Sequence, residues 1–463
     1  MWEIALQNGE LPIKRQIYQT LRERITSGHI PAGEALPSTR ELARQLSVSR
    51  NTVCEAYEML LAEGYVESHQ GAPTRVAEGL YLEKPHAVAP VTPPKPHAPI
   101  IVNLRTGQPD LRLFPAVQWG MAMRRACEEM PLSRLGYTGP QGLEPLREEI
   151  LAWLFRSKGM QAEPEDIFIT AGATHALHII AQLLCEDGRG LIVEDPCHTG
   201  MLRTLQSKGV PVYPVPADGQ GLITDDLAPH PNAAAVYVTP SHQFPLGGIL
   251  PAARRATLIR FARENGLYLI EDDYDSEFRY CGEPVAPLYC ADPQRVLYTG
   301  TFSKVLFPAL RIGYAVVPKA LQKRFKQLRT QTDVQNPIAE QAALAEFMRT
   351  RRLDRHVRQM RKIYGARRQA LLKALSEAFG DCCRPWGDAS GLHLALQFEG
   401  RHFDEDFPKR AREKGILLAT VEQHSIVKGR HADKLLIGYG HLTEEEIRGA
   451  VGVLVGELSE MII

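Results

Sequence analysis

From Ile101 onward the sequence alternates short apolar runs with stretches at helical spacing, and this alternation constrains the fold more than any other feature. Runs such as 167–170, 191–193 and 267–270 each end in polar or glycine-rich residues. Such alternation predicts an α/β domain built on a mostly parallel sheet. Because ligands bind at the carboxyl ends of the strands in sheets of this kind, we expect the polar ends to form one site.

The most specific of these strand ends is the stretch 298–314. Small and hydroxyl residues flank Lys304, and Arg311 follows seven positions later. A lysine amine can form a Schiff base with an aldehyde. Thr301, Ser303 and Arg311 are the donors that a phosphate beside that aldehyde requires. The stretch therefore predicts pyridoxal 5'-phosphate bound on Lys304, and the alternative is a solvated lysine in a surface turn.

The stretch resembles the lysine segment of fold-type I aminotransferases, in the form found in MocR/GabR-type regulators. Two further strand ends fit the same family. The run 167–170 leads into a glycine turn and a helix, where the resemblance implies that Ala173 and Thr174 lie in a phosphate cradle. The run 191–193 leads to His198, at the position where the family stacks an aromatic ring on the cofactor. The alternative for His198 is a core or surface histidine.

An acidic segment, 271–278, follows the apolar run 267–270. A buried carboxylate beside the pyridine nitrogen keeps that nitrogen protonated and makes the ring an electron sink. The resemblance implies that this acid is Asp272, with Asp273 as second choice, and that Tyr274 hydrogen-bonds the ring hydroxyl. The other interpretation is a solvated acidic cluster.

One position departs from the family pattern. Members that hold an α-amino acid usually carry arginine just before the Ile-Gly-Tyr segment 437–439, and this chain has Leu436. A guanidinium binds a carboxylate in a bidentate manner, which leucine cannot do. Either another basic residue substitutes, or the effector is not an ordinary amino acid held in that way. The loop 239–247 resembles the pocket wall of the same regulators.

Residues 1–78 are predicted to form a separate head. Apolar spacing and stop signals predict helices over 13–27, 41–46 and 50–63. Two short strands around Gly71 complete a winged helix-turn-helix. Residues 14–50 carry seven basic and three acidic side chains, whereas 51–80 carry one basic and five acidic. The positive charge therefore lies where DNA phosphates would be if the front of the third helix entered a major groove.

The segments 36–43 and 48–53 resemble the signature of the GntR family. The resemblance implies that Arg40 and Arg50 contact phosphates or base edges, and that Gly71 lets the wing approach the minor groove. The same resemblance implies that three residues lie at the front of the recognition helix, namely Ser49, Asn51 and Thr52. The alternative is a protein-binding winged helix with a solvated charged face.

Prolines concentrated in 79–101 predict a semi-extended linker between the head and an effector domain over 102–463. We expect that domain to have the fold-type I α/β architecture, ending in a smaller C-terminal α/β subdomain. A basic helical stretch over 323–368 precedes this subdomain and is interpreted as a solvated or interface helix. The family is usually homodimeric, so we expect a homodimer.

Composition restricts the remaining possibilities. The net charge is +0, which excludes a general attraction to nucleic acid or membrane. The sequence contains neither a membrane-length apolar run nor a signal peptide, so we expect a cytoplasmic protein. The eight cysteines form no CxxC pair, and we expect them to be reduced and to bind no metal. Cys197, near the predicted pocket, is the single candidate for a reactive thiol.

The sequence thus predicts a transcription regulator whose winged helix binds promoter DNA. Its effector domain would hold pyridoxal phosphate and sense a small amine, an amino-acid-like metabolite or the cofactor itself. Two other functions fit parts of the pattern. One is a catalytically active aminotransferase that also binds DNA, and the other is a scaffold with a relic site.

Overall fold

The structure is a computed structural model that describes residues 4–7, 11–79, 99–283 and 285–460. The chain divides into two compact units, Met1–Lys95 and Pro96–Ile463. Most of the linker predicted over 79–101 lies outside the described residues. Among the described residues, no helix combines the length and the apolar character needed to cross a membrane.

The first unit is a three-helix bundle with a small antiparallel wing. Its elements are α1 (Ile13–Thr26), α2 (Thr39–Leu46), α3 (Arg50–Ala62), β1 (Val66–Glu67) and β2 (Arg75–Val76). Ile17, Leu21 and Ile25 recur at helical spacing on α1 and are buried in the core of this unit. Val66 pairs with Val76 across the wing. The predicted winged helix-turn-helix is confirmed.

The second unit begins with β3 (Val102–Asn103), α4 (Ala116–Glu129), α5 (Glu144–Lys158), β4 (Ile167–Thr170), α6 (Ala173–Cys185), β5 (Gly190–Asp195), α7 (Thr199–Ser207), β6 (Val212–Asp218) and β7 (Gly221–Leu222). It continues with β8 (Ala233–Val238), α8 (Ala252–Glu264), β9 (Tyr268–Asp273), β10 (Val296–Thr301), β11 (Gly313–Val316), α9 (Lys319–Thr332), α10 (Ile338–Arg349) and α11 (Arg352–Phe379). It ends with β12 (Cys383–Trp386), β13 (His393–Phe398), α12 (Phe407–Glu413), β14 (Ile416–Leu417), β15 (Ala419–Thr420), β16 (Lys434–Gly438) and α13 (Glu444–Glu460).

The second unit is built on an eight-stranded sheet, whose strands lie in the order β4-β11-β10-β9-β8-β5-β6-β7. All strands are parallel except β11 and β7, which run antiparallel to their neighbours. The side chains of a strand alternate between the two faces of the sheet. Leu269 of β9 accordingly joins the core under α5 and α10, and the next residue, Ile270, joins the core under α6 and α9. The predicted α/β fold with a mostly parallel sheet is confirmed.

A second, antiparallel sheet of four strands forms the C-terminal subdomain, in the order β12-β13-β16-β15. The helices α12 and α13 and the end of α11 pack on it through a separate hydrophobic core. Strand β3 pairs in parallel with β14. The amide of Gly438 donates to the carbonyl of Leu104, so the segment that follows β3 runs along the end of β16.

The basic stretch over 323–368 is helical, as predicted, but it forms three helices and not the single helix expected. The structure divides it among α9, α10 and α11. Pro337 precedes α10, and Arg351 adopts a left-handed conformation, φ 58°, just before α11. Not all of its cations are solvated either, because buried Arg367 pairs with Asp110 at 2.8 Å. Breaks and burial of this kind depend on tertiary contacts that charge counting does not detect.

Candidate functional site

Lys304 lies just beyond the carboxyl end of β10, where neighbouring β9 also ends. Its Nζ donates to the carbonyl of Gly107 at 2.7 Å. Burial lowers the pKa of Lys304, while Asp275 and Asp272 act in the opposite direction. A lysine with a lowered pKa holds more of its amine in the free-base form, which is the form that attacks a carbonyl carbon. The site therefore contains a partly buried amine suited to covalent chemistry.

Asp272, near the end of β9, faces the side of the sheet on which Lys304 lies. Its carboxylate accepts hydrogen bonds from the Tyr237 hydroxyl at 2.8 Å and the Thr299 hydroxyl at 3.0 Å. Burial raises the pKa of Asp272 to about 6, and these two hydrogen bonds limit the rise. An acid so placed can be ionised or neutral near physiological pH, depending on the charge beside it.

The adjacent Asp273 points to the opposite face and binds Lys158. The Lys158 Nζ lies 2.6 Å from Asp273 Oδ2 and 3.1 Å from Glu277 Oε1. It also bonds the hydroxyls of Ser276 at 2.7 Å and Tyr298 at 2.9 Å. Burial acts to raise the pKa of Asp273, but Lys158 holds it below its ordinary value. Asp273 is thus already engaged, which favours Asp272 as the acid on the Lys304 side.

A cradle of donors lies at the start of α6. The guanidinium of Arg311 donates to the carbonyl of Ala171 at 2.5 Å and lies directly over Gly172. A Cβ at Gly172 would approach Arg311 Nη2 to 2.9 Å, so only glycine leaves this space open. No side chain among the described residues caps the first turn of α6, where Ala173 and Thr174 stand. Free amides and a guanidinium together make a site for an anion.

Two hydroxyls follow β10 on the way to Lys304. The Thr301 hydroxyl lies 3.1 Å from the Ser303 hydroxyl and accepts the Ser303 amide at 3.2 Å. Both residues are buried. The side chain of Thr174, by contrast, is exposed, so only its position at the helix start associates it with the cradle.

Tyr274, which was predicted to hydrogen-bond the cofactor's ring hydroxyl, belongs to a polar cluster with His242 of the loop 239–247. Its hydroxyl donates to the carbonyl of His242 at 2.8 Å and lies 3.0 Å from His242 Nδ1. That nitrogen is also 3.0 Å from Asp275 Oδ1. His242, Asp275 and His393 place potential metal-ligand atoms within 4.8 Å of one another. His242 already bonds Asp275 and Tyr274, which suits a role in orienting the phenol.

His198 precedes α7 and is partly buried. Its ring meets Phe244 edge-on with centroids 5.2 Å apart. Burial, with a smaller contribution from Lys304, lowers the pKa of His198 to about 4, so its imidazole is neutral. Among the described residues its Nδ1 has no hydrogen-bond partner. A neutral ring with an unpaired buried nitrogen is not explained by core packing alone.

Leu436 on β16 lies in a small apolar cluster, where the related enzymes usually have arginine. Its neighbours in this cluster include Phe244, Leu246, Ala395 and Val421. This environment would penalise an unpaired guanidinium.

Cys197 is buried in the core under α6 and α9, and burial raises the pKa of its thiol well above the ordinary value. A thiolate is therefore scarce, which removes the ground for a reactive Cys197.

The head presents its predicted DNA-contacting residues around the start of α3. Arg40, Arg50, Asn51 and Gly71 are exposed, and Gly71 has φ +82°. Ser49 instead caps α3, because its Oγ accepts the Thr52 amide at 3.1 Å and lies 2.8 Å from the Thr52 hydroxyl. Ser49 and Thr52 therefore set the start of the helix, whereas the arginines and Asn51 are available to DNA.

Three residues of the site were not predicted from the sequence. Gly107 accepts a hydrogen bond from Lys304, and Tyr237 donates one to Asp272. Lys158 neutralises the carboxylate of Asp273, next to Asp272. Gly107 lies in a Gly-Gln-Pro turn, which was a detectable signal. Lys158 is the last residue of α5, where a basic residue is common in any helix. No local signal in the sequence could therefore have identified it as part of the site.

Comparison with known proteins assigns each of the two units to a protein family. The family model for class I and II aminotransferases matches residues 99–451, and that for bacterial regulatory proteins of the gntR family matches residues 13–76. A solved archaeal alanine:glyoxylate aminotransferase aligns with a TM-score of 0.72 at 24% identity, covering 78% of this chain and 91% of that one. At that identity the likeness shows the fold.

Two relatives match across both units. The chain is 30% identical over 465 residues to a probable rhizopine catabolism regulatory protein, MocR, of Rhizobium meliloti, covering 97% of this chain and 94% of that protein. It is 35% identical over 394 residues to the HTH-type pyridoxine biosynthesis transcriptional regulator PdxR of Corynebacterium glutamicum, covering 85% of each.

Proposed function

Because this chain belongs to the MocR-type transcription regulators, which fuse a GntR-type winged helix to a class I and II aminotransferase domain, we propose that it is controlled by pyridoxal phosphate bound at Lys304. The effector is a small amine or amino-acid-like metabolite, or pyridoxal phosphate itself. One observation carries this proposal, namely the partly buried Lys304 amine, whose pKa is lowered, in a domain of the aminotransferase fold. We assign the head to 1–78, the linker to 79–101 and the effector domain to 102–463.

The residues around Lys304 suit this cofactor. Arg311, the amides that begin α6 and the hydroxyls of Thr301 and Ser303 would hold the phosphate. The open space over Gly172, which a Cβ would fill, supports this assignment. Asp272 would pair with the ring nitrogen. When bound, pyridoxal phosphate supplies an aldehyde carbon that captures primary amines.

We assign a separate role to each protein group that would surround the cofactor ring. Tyr274, oriented by His242, would present its hydroxyl to the ring oxygen. His198 would cover one ring face with a neutral imidazole. Asp272, with a pKa of about 6 in this buried position, would ionise fully beside a cationic partner, because an opposite charge favours the charged form. Tyr237 would keep that carboxylate in place through its 2.8 Å hydrogen bond.

The apolar surroundings of Leu436 bear on the effector. They offer no bidentate clamp for an α-carboxylate, which disfavours an ordinary amino acid held in the usual way. One relative is named for pyridoxine biosynthesis, and this name supports the cofactor itself as a candidate signal. A catalytically active aminotransferase that also binds DNA is the competing function.

The cofactor assignment is tested at Lys304. Full-length protein incubated with pyridoxal phosphate should turn yellow, and borohydride should fix the cofactor to the peptide that contains Lys304. Lys304→Ala should lose the adduct, whereas Lys323→Ala, which removes an exposed lysine, should keep it. Peptide mass analysis reads the result. An adduct that persists in Lys304→Ala would place the cofactor on another lysine.

The head is proposed to bind promoter DNA through the exposed arginines around α3. On an operator selected from random DNA by the full-length protein, Arg50→Ala should weaken binding by about 1–3 kcal/mol. Arg40→Ala should also lower the salt dependence by about one phosphate contact. Arg384→Ala, which replaces an exposed arginine of the effector unit, is the matched control. Affinities equal to wild type in both head variants would refute this assignment.

We also propose a homodimer. The segment 111–137 exposes an unusual set of large apolar side chains: Leu111, Val117, Met121, Leu132, Leu135 and Tyr137. Leu132 is 84% exposed and Tyr137 is 89% exposed. Exposed apolar groups concentrated in one segment are typical of a surface that another chain covers.

A further inference from the structure

A cavity of about 370 Å³ lies between α5, the segment after β9 and α11. Its volume falls within the range of small-molecule sites, about 300–1,000 Å³. It is separate from the site proposed for the cofactor, because neither Lys304 nor Asp272 is among the described residues that line it. The two sites are adjacent, because Lys158 and Ser241 line the cavity, while Lys158 also binds Asp273 next to Asp272 and His242 belongs to the cluster beside Tyr274.

The lining of this cavity is strongly basic. Its charged residues are Lys158, Arg279, Arg351, Arg358, Arg361, Glu277 and Asp354. Both carboxylates already have cationic partners. Glu277 lies 3.1 Å from Lys158, and Asp354 lies 3.6 Å from Arg156 and 3.7 Å from Arg351. The positive charge that remains favours an anionic occupant.

The arginines of the cavity are partly fixed before any ligand binds. Arg361 donates through Nε to the carbonyl of Glu277 at 2.8 Å, and Arg358 donates through Nε to the carbonyl of Asp354 at 3.3 Å. A guanidinium anchored through Nε keeps its two terminal nitrogens for a second partner. The Nε of Arg279 is buried and has no hydrogen-bond partner among the described residues. An unpaired buried donor of this kind favours a ligand that can accept its hydrogen bond.

Hydroxyl groups complete the lining. Ser157, Ser241, Ser276 and Ser390 contribute to the walls. The hydroxyls of Ser157, Ser276 and Ser390 already donate to the carbonyl of Trp153, the carboxylate of Asp273 and the carbonyl of Phe278. The guanidinium forks are therefore the donors that match the several acceptor oxygens of a phosphate group. We propose that this cavity binds a small phosphorylated metabolite through Arg279, Arg358 and Arg361, as a ligand site additional to Lys304.

The test measures binding of glycerol 3-phosphate by isothermal titration calorimetry to the full-length protein loaded with pyridoxal phosphate, so that the proposed cofactor cradle is already filled. Wild type should bind it saturably with one site per chain. The double variant Arg279→Gln/Arg361→Gln should lose at least about tenfold in affinity, because it removes two charge-assisted contacts. Arg355→Gln, which removes an exposed arginine of the same helix outside the cavity, should bind as wild type does. Arg311→Gln should also bind normally, which separates this site from the proposed cofactor cradle.

Several results would overturn the proposal: no saturable heat with wild type, an unchanged affinity in the double variant, or a loss of binding in Arg311→Gln. Citrate serves as a second probe, and tighter binding of citrate than of glycerol 3-phosphate would reject the phosphate class. If the double variant does not fold, Arg361→Gln alone decides, because its side chain is exposed and its loss is compatible with the fold. Binding by Arg361→Gln equal to wild type would then reject the site.

Discussion

The buried ion cluster around Lys158 makes the strongest quantitative prediction about the effector unit. Substituting Lys158 by Met removes the charge but retains most of the aliphatic stem. Asp273 and Glu277 then stay buried without the cation that lies 2.6 Å and 3.1 Å from them. Removing one partner of a buried ion pair typically costs about 3–5 kcal/mol. We expect a loss of folding free energy in this range. The hydroxyls of Ser276 and Tyr298 lose the hydrogen bond that Lys158 donates but still donate to Asp273.

The sign of the pH dependence follows from the two carboxyl groups. In the wild type Lys158 holds the pKa of Asp273 low, so this pair contributes stability above the unfolded pKa of about 3.9, and the contribution is lost as the pH falls. In Lys158→Met burial acts without that opposition and raises the folded pKa of Asp273. The charged carboxylate then destabilises the fold above its unfolded pKa. The cost of the mutation should therefore be largest near about pH 8 and smaller near about pH 5.

Urea unfolding followed by tryptophan fluorescence measures this effect, since the Trp153 ring centroid lies 6.0 Å from Lys158 Nζ. The midpoint should fall with little change in slope. The triple variant Lys158→Met/Asp273→Asn/Glu277→Gln, which is neutral throughout, is the control and should recover most of the loss. A cost below about 1 kcal/mol at both pH values, or a cost that grows on acidification, would refute the reasoning.

The remaining predictions concern turnover and assembly. Because Leu436 offers no carboxylate clamp, common L-amino acids and 2-oxo acids should give negligible steady-state turnover with the cofactor-loaded protein. Rates near about 1 per second or above would instead establish the competing aminotransferase function. Leu132→Glu should convert the proposed homodimer to monomers in analytical ultracentrifugation. Leu61→Glu, which replaces an exposed leucine of the head, is the control and should leave the dimer intact. A dimer that persists in Leu132→Glu would exclude the segment 111–137 as the interface.

Much of the architecture could be predicted because it depends on local signals. The helix starts at Ser38 and Ser49 carry caps that the sequence displays, and the strand ends near Asp272 and Lys304 combine apolar runs with polar termini. The long-range pairs could not be predicted in this way. Lys158 meets Asp273 across 115 residues, and Lys304 meets Gly107 across 197 residues. Pairing at such separations is set by the packing of whole helices and strands.

The position of Gly107 has a mechanical consequence. The chain that arrives from the head is hydrogen-bonded to β14 through Val102–Asn103 and reaches Gly107 only four residues after Asn103. There its carbonyl accepts a hydrogen bond from Lys304 Nζ, φ is +73°, and a Cβ would approach that Nζ to 2.6 Å. The segment by which the chain enters the effector unit is thus hydrogen-bonded to the same amine that is proposed to carry the cofactor. Loading that amine would remove the Lys304–Gly107 hydrogen bond, so a chemical event at a single nitrogen would loosen the segment that begins the effector unit.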